Sequence, residues 1–479
     1  MGQAYLTVLI PLIGALVLVI VKNQSFQRAF AVLTSLLTLI LSLFQYTSLD
    51  RANKGFQLLW EHLWIPSWNL SISFGFDELN APFVLLTSFI TLISVLLSLR
   101  TIENNIGKYL ALLLLLSASV NAYFLSTNFL FFFFFYEAML IPSVLLIKLW
   151  GGRKASEAAM KFLIYTFGFS IFLFASILAV YIFGGGFSFD SLYNLRLTSE
   201  SKMLIFMGFV LAFAVKIPIV PFHGWLRDAY YEAPMAITIF LSAVLGKMGL
   251  YGLIRVSPAF YQQILAYGDW LVGLCIFSFV YAAFLALFER DLKAMFAYMS
   301  LSHVGIIAAG VFTGNILGFQ GSLLQSINHG ILSAAFFYVA ELLYRNTKSF
   351  DVERFGALSK KVPAMTFFAF AYLMAMGGFP GMNYFNGELL LLSGIFNKNT
   401  LLGFIGVFGV AVGVVYLSWY FYRIFLRKPG KELSSLVRDV RSWEFVIFSI
   451  LFVLSIYLGL NPDFILSGVR ELTLFGGRG

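Results

Sequence analysis

Fourteen apolar runs of about 20 residues dominate this sequence, and they limit what it can fold into more than any other feature. They cover residues 4–21, 29–47, 79–99, 108–126, 128–149, 158–184, 203–222, 234–255, 266–288, 294–312, 317–344, 363–396, 401–422 and 442–460. About 20 helical residues span the roughly 30 Å hydrocarbon core of a bilayer. Backbone groups there find no water, so a spanning segment closes its own hydrogen bonds as a helix. Composition agrees. Of 479 residues, 60% are hydrophobic and 11% charged, where a soluble domain has about 45–50% and about 25%. The expected fold class is an all-α polytopic membrane protein with about 14 transmembrane helices.

Connections between the runs are mostly short, so residues 1–479 read as a single transmembrane domain. Within it we expect N-terminal helices and an outer hairpin over 4–126, a five-helix repeat within 108–255, a second within 266–422, and a last helix over 442–460. The longest connection, 48–78, alternates polar with apolar residues around three tryptophans. It predicts a short β-hairpin or extended segment at the interface, with His62 a solvated surface residue. The opening "MGQAYLTVLIPLIGALVLVIVK" lacks the basic start and cleavage site of a signal peptide, and reads as a first membrane helix.

Basic residues set the orientation. With both termini outside, 22 of the 32 Lys and Arg fall in inner loops and 8 in outer segments, leaving Lys216 and Lys247 within runs. This topology accounts for the net charge of +9 without nucleic acid as a partner. The one cysteine, Cys275, excludes an internal disulfide and a cysteine-held metal site. No nucleotide-binding glycine motif is present.

The seventh run reads "FAVKIPIVPFHGW", with Pro218, Pro221 and then His223, and the twelfth "AMGGFPGMNYFNGE", with Pro380 among glycines. Helices broken in paired positions five apart point to inverted repeats around an ion path. Four charges lie at the same depth: Glu137 in "FFFFFYEAMLIP", Lys216, Lys247 and Glu388. Each costs about 2.5–3.5 kcal/mol at a helix centre on the mild insertion scale. Polar contacts between membrane helices return only about 0.6 kcal/mol on average, so helix adhesion alone does not explain four charges. Two negatives and two positives cancel, and Lys216 is the expected partner of Glu137. His303 and His329 lie at similar depth and complete a set of titratable groups suited to proton transfer. A bis-histidine haem would leave the charged residues unexplained.

"YEAMLIP", "WGG", "KFLIYT", "KIPIVPFHGWL", "EAP", "GKMGLYGLIR", "SHVG", "NHG" and "GFPG…GE" occur in an order and spacing that resemble the antiporter-like subunits of respiratory complex I (NADH–quinone oxidoreductase). The resemblance covers helices four to twelve. Glu388, where related branches carry lysine, resembles the M-type (chain 4) branch. The resemblance implies a proton-translocating subunit of a redox enzyme in the bacterial cytoplasmic membrane. Glu137 and Lys216 would be a gating ion pair, Lys247 a central relay with His303 and His329, and Glu388 the outward end. It further implies no cofactor or metal in this chain, with flavin, iron–sulfur clusters and quinone in partner subunits, and L-type and N-type neighbours among lipids. The family's "WLPDAH" is "WLRDAY" here: Arg227 replaces a proline and Tyr230 a titratable histidine, which removes that histidine from any inner entry route. A multisubunit cation/proton antiporter, a membrane-bound hydrogenase subunit and a structural subunit with a silent channel remain as alternatives.

Overall fold

The computed structural model describes residues 2–53, 55–66, 70–428 and 437–469; Lys54, Trp68, Lys431, Arg470 and Arg478, used above, lie outside them. Every one of the fourteen runs contains helix. Among the described residues, ten helical stretches are long and apolar enough to cross a membrane, and Leu6–Ile20 and Pro363–Met376 are shorter apolar helices. One of the ten, Met235–Phe288, holds two of the runs in 54 residues. Large apolar side chains such as Ile20, Leu204 and Phe288 are left bare. Hydrocarbon rather than water suits that surface.

Internal packing groups the chain into two compact units. Of the described residues, unit 1 takes those within 2–217, 232–265 and 467–469, and unit 2 those within 218–231 and 266–466. Unit 1 begins with α1 (Leu6–Ile20) and α2 (Gln24–Thr47). The strands β1 (Gln57–Ile65) and β2 (Leu70–Phe76) then pair antiparallel, with Trp60 opposite Phe74 and exposed His62 opposite Ile72. The helices α3 (Ala81–Thr101), α4 (Ile106–Leu125), α5 (Phe129–Ala138), α6 (Leu140–Trp150), α7 (Ala155–Gly184) and α8 (Ser199–Lys216) follow. α9 (Leu226–Glu232) belongs to unit 2 as far as Tyr231; unit 1 continues with α10 (Met235–Phe240), which runs through a π-helical turn, Leu241–Leu245, into α11 (Gly246–Val256). Buried α4 packs against α1, α2, α3, α5 and α6, and α8 lies against both α7 and α11.

Arg255 at the end of α11 grips Asp77 with two guanidinium nitrogens, at 2.5 and 2.9 Å, and also meets the Tyr251 hydroxyl at 2.8 Å. Both charged side chains are about nine-tenths buried. Removing one partner of such a pair strands the other, a loss of about 3–5 kcal/mol. Arg255→Leu is therefore expected to lower the thermal unfolding midpoint of the purified protein. Arg255→Lys should recover only part of it, because an ammonium cannot reproduce the planar fork.

Unit 2 holds α12 (Tyr261–Phe288) from residue 266 on, then α13 (Leu292–Phe312), α14 (Ile316–Thr347), α15 (Pro363–Met376), α16 (Asn383–Lys398), α17 (Thr400–Phe421), α18 (Ser442–Leu460) and α19 (Asp463–Leu466). Its centre is α14, which packs on α13, α15, α16, α18 and α19. Gly318 of α14 and Gly394 of α16 lie face to face, so the two backbones approach closely, as small residues allow between membrane helices.

Candidate functional site

Glu137 stands at the end of α5. Pro142 has no N–H for the Ala138 carbonyl and its ring crowds that oxygen. The run expected as one helix over 128–149 is accordingly two pieces meeting at Met139. Both Glu137 oxygens are buried and, among the described residues, accept no hydrogen bond. Ser170 is close enough to influence the carboxylate, but its hydroxyl donates to the Phe167 carbonyl at 2.7 Å.

Lys216 is the last residue of α8, which stops where Pro218 and Pro221 follow. Its side chain is buried, donates to Met139 Sδ at 3.4 Å and lies 4.6 Å from the centre of the Tyr136 ring. Among the described residues, no ion pair or hydrogen bond joins Glu137 to Lys216. The two charges act on each other, but a thioether and an aromatic face hold the ammonium instead.

Lys247 is wholly buried just past the π turn, and its Nζ donates to the Ser242 carbonyl, inside that turn, at 2.6 Å. A π turn shifts carbonyls out of the ordinary helical ladder and is common at functional sites. Two residues after Lys247, a methyl group on Gly249 would sit 3.1 Å from Lys216 Cβ. Glycine at that position lets α11 press against α8 and sets the two lysines on adjoining helices.

In unit 2, the histidines of α13 and α14 face each other. The His303 and His329 ring centroids are 6.0 Å apart, and both residues are buried. The Tyr416 hydroxyl of α17 is 3.4 Å from His303 Nε2, and the Tyr384 ring of α16 meets His303 edge-on at 5.2 Å. Glu388 follows Tyr384 by one turn, is 9% exposed, and acts electrostatically on both tyrosines. Its Oε2 lies over the break of the twelfth run, where Gly378 and Gly381 adopt φ of 72° and 88°, a region that favours glycine. A methyl group on Gly378 would come within 2.6 Å of Oε2. Gln325 and Asn328 of α14 brace the start of α16, donating to the Tyr384 carbonyl at 3.3 Å and the Asn383 carbonyl at 2.6 Å.

Unit 1 thus holds Glu137, Lys216 and Lys247, and unit 2 holds His303, His329 and Glu388. Half-buried His223 follows the seventh break in unit 2, its ring 5.8 Å from that of Tyr281. Pro218, Pro221 and Pro380 lie in the breaks themselves. Sequence reading did not single out Tyr384 and Tyr416, which look like ordinary members of apolar runs. It also counted Lys293 among loop charges, although it is buried, and passed over buried Glu341.

Residues 126–413 match the model of a family described as NADH:quinone oxidoreductase/Mrp antiporter, transmembrane. The NADH-quinone oxidoreductase subunit M of Rickettsia conorii is 32% identical over 477 residues, covering 96% of each chain. A chain of respiratory complex I from Thermus thermophilus superposes with a TM-score of 0.90 at 27% identity, over 99% of this chain and 100% of that one. A chain of the Mrp complex from Dietzia shares the fold, with a TM-score of 0.88 at 18% identity over 99% of this chain and 52% of that one.

Proposed function

We infer the activity from a fixed premise: this chain belongs to the NADH:quinone oxidoreductase/Mrp antiporter family of membrane subunits. It is the M-type proton-translocating subunit of a complex I, driven by redox chemistry in partner subunits. Flavin, iron–sulfur clusters and quinone belong to those partners, which include L-type and N-type neighbours in the same bacterial cytoplasmic membrane. In this reading Glu137 and Lys216 form a gate, Lys247 relays, His303 and His329 carry the proton onward, and Glu388 releases it outward. The breaks after Lys216 and before Glu388 act as equivalent elements of an inverted pair.

The observation that carries the proposal is the cluster in unit 2. His303 has the Tyr416 hydroxyl 3.4 Å from its Nε2 and the His329 ring centred 6.0 Å from its own, and Glu388 closes the series beside a backbone break. Proton transfer needs such a chain of groups, and helix packing does not. Glu388→Gln in the purified complex is expected to lower proton pumping more than NADH oxidation, because it removes an exit group and leaves the redox subunits untouched. Glu388→Lys, still titratable, should be milder than Glu388→Ala. Wild-type pumping in all three would remove this carboxylate from the path.

A further inference from the structure

Two buried charges lie outside that relay, at the end of unit 2 where α13 begins and α14 finishes. Lys293 is 4% exposed and Glu341 8% exposed. Lys293 Nζ donates to the Tyr231 carbonyl at 2.9 Å and lies 5.8 Å from the centre of the Phe350 ring. Glu341 makes no hydrogen bond or ion pair among the described residues. Its neighbour Arg345, four residues on, is instead bound to Glu444 of α18. The charges that act on Glu341 are Lys293 from α13, Arg345 and Lys348 from its own helix end, and Glu444 from α18. A carboxylate kept for structure is normally paired. This one sits among cations without being tied to any.

Position gives it a use. Tyr230 packs its ring 6.1 Å from Phe337, one turn before Glu341 on α14. A phenol titrates near pH 10 and does not exchange protons at neutrality, so the residue in the place of the family's histidine cannot collect them. Lys293, Ser300 and His303 lie on one face of α13, at i, i+7 and i+10. Phe296 on that face meets Phe336 and Phe337 of α14 at 5.2 and 5.9 Å, so the face is turned toward α14. Arg290, Arg345, Arg354 and Arg423 mark this end as the basic, inner side.

We propose that Glu341, assisted by Lys293, is the proton-loading group of unit 2, standing in for the histidine that Tyr230 replaces. The carboxylate takes one proton from water at the inner end and hands the same proton toward His303 and His329, with nothing oxidised or reduced. Twelve residues separate Glu341 from His329, about 18 Å along the helix, so Ser300 and water carry the proton between them. The inference rests on the proton-relay reading above.

The test uses the intact complex in sealed vesicles, with proton uptake measured against NADH oxidation over a range of pH. Glu341→Gln is expected to lower pumping at least several-fold, most steeply at alkaline pH where protons are scarce. Glu341→Asp and Glu341→His should restore it, with different alkaline limbs because their ordinary pKa values differ by more than two units. Should Glu341→Gln fail to assemble, the Asp and His variants carry the test by that difference. Wild-type pumping in Glu341→Gln, no rescue by either titratable residue, or identical pH profiles for both would overturn the loading role. Glu388→Gln in parallel separates the two claims. If it impairs pumping while Glu341→Gln does not, only the loading site falls. If neither does, the relay reading falls with it.

Discussion

Glu137→Gln is expected to reduce proton pumping by at least about tenfold while the complex still assembles. A lysine buried without a nearby negative charge holds its proton less readily, and each pKa unit is a factor of ten in that balance. The glutamine keeps the volume of the side chain and removes only its charge. Assembly survives because Lys216 can shed its proton and sit neutral beside Met139 and the Tyr136 ring. The open arrangement of the pair bears on mechanism. In the proposed gate, the two charges, which act on each other, would close when the ammonium leaves the weakly accepting thioether for the carboxylate. A charge arriving from a neighbouring subunit would bias that two-state element. Lys216→Ala should be at least as damaging as Glu137→Gln, and the double variant no worse than the worse single one. Multiplicative losses in the pumping rates of this cycle would mean that the two residues act independently.

Lys247→Arg should stop pumping through this chain although it keeps the positive charge. Guanidinium does not give up its proton in proteins, so the substitution separates holding a charge from passing one on. The site also penalises the larger head, because Lys247 reaches Ser242 inside a π turn in a wholly buried setting. Lys247→Ala should be equally silent. A difference in pumping between them would measure how much the charge alone contributes.

Much of this was readable in the sequence because hydrocarbon acts locally. The length of the apolar runs, Pro218 and Pro221 after Lys216, and Gly378 with Gly381 before Glu388 each impose their structure on the residues beside them. The break at Met139 was signalled by Pro142, yet a proline inside an apolar run is also compatible with an unbroken helix. The π turn before Lys247 carries no residue signature of its own, and the glycines at 246 and 249 explain only the close packing. Tyr384 and Tyr416 were hidden because their role depends on which faces of α16 and α17 turn toward His303. Lys293 and Glu341 lie near helix ends, and their burial depends on tertiary neighbours such as the Tyr231 carbonyl at Lys293, which no local pattern encodes. The open Glu137–Lys216 pair is likewise a matter of side-chain placement. Sequence could name the partners but not whether they touch.

The claim at the centre of this account is that protons cross this chain through its buried titratable groups. Protons moved per NADH oxidised test it most directly, measured on the purified complex in sealed vesicles with Lys247→Arg and Glu388→Gln combined. NADH oxidation by the same complex in detergent reports whether the redox subunits remain intact. The account predicts that oxidation in detergent persists while the ratio in vesicles falls below wild type, and an unchanged ratio would contradict it.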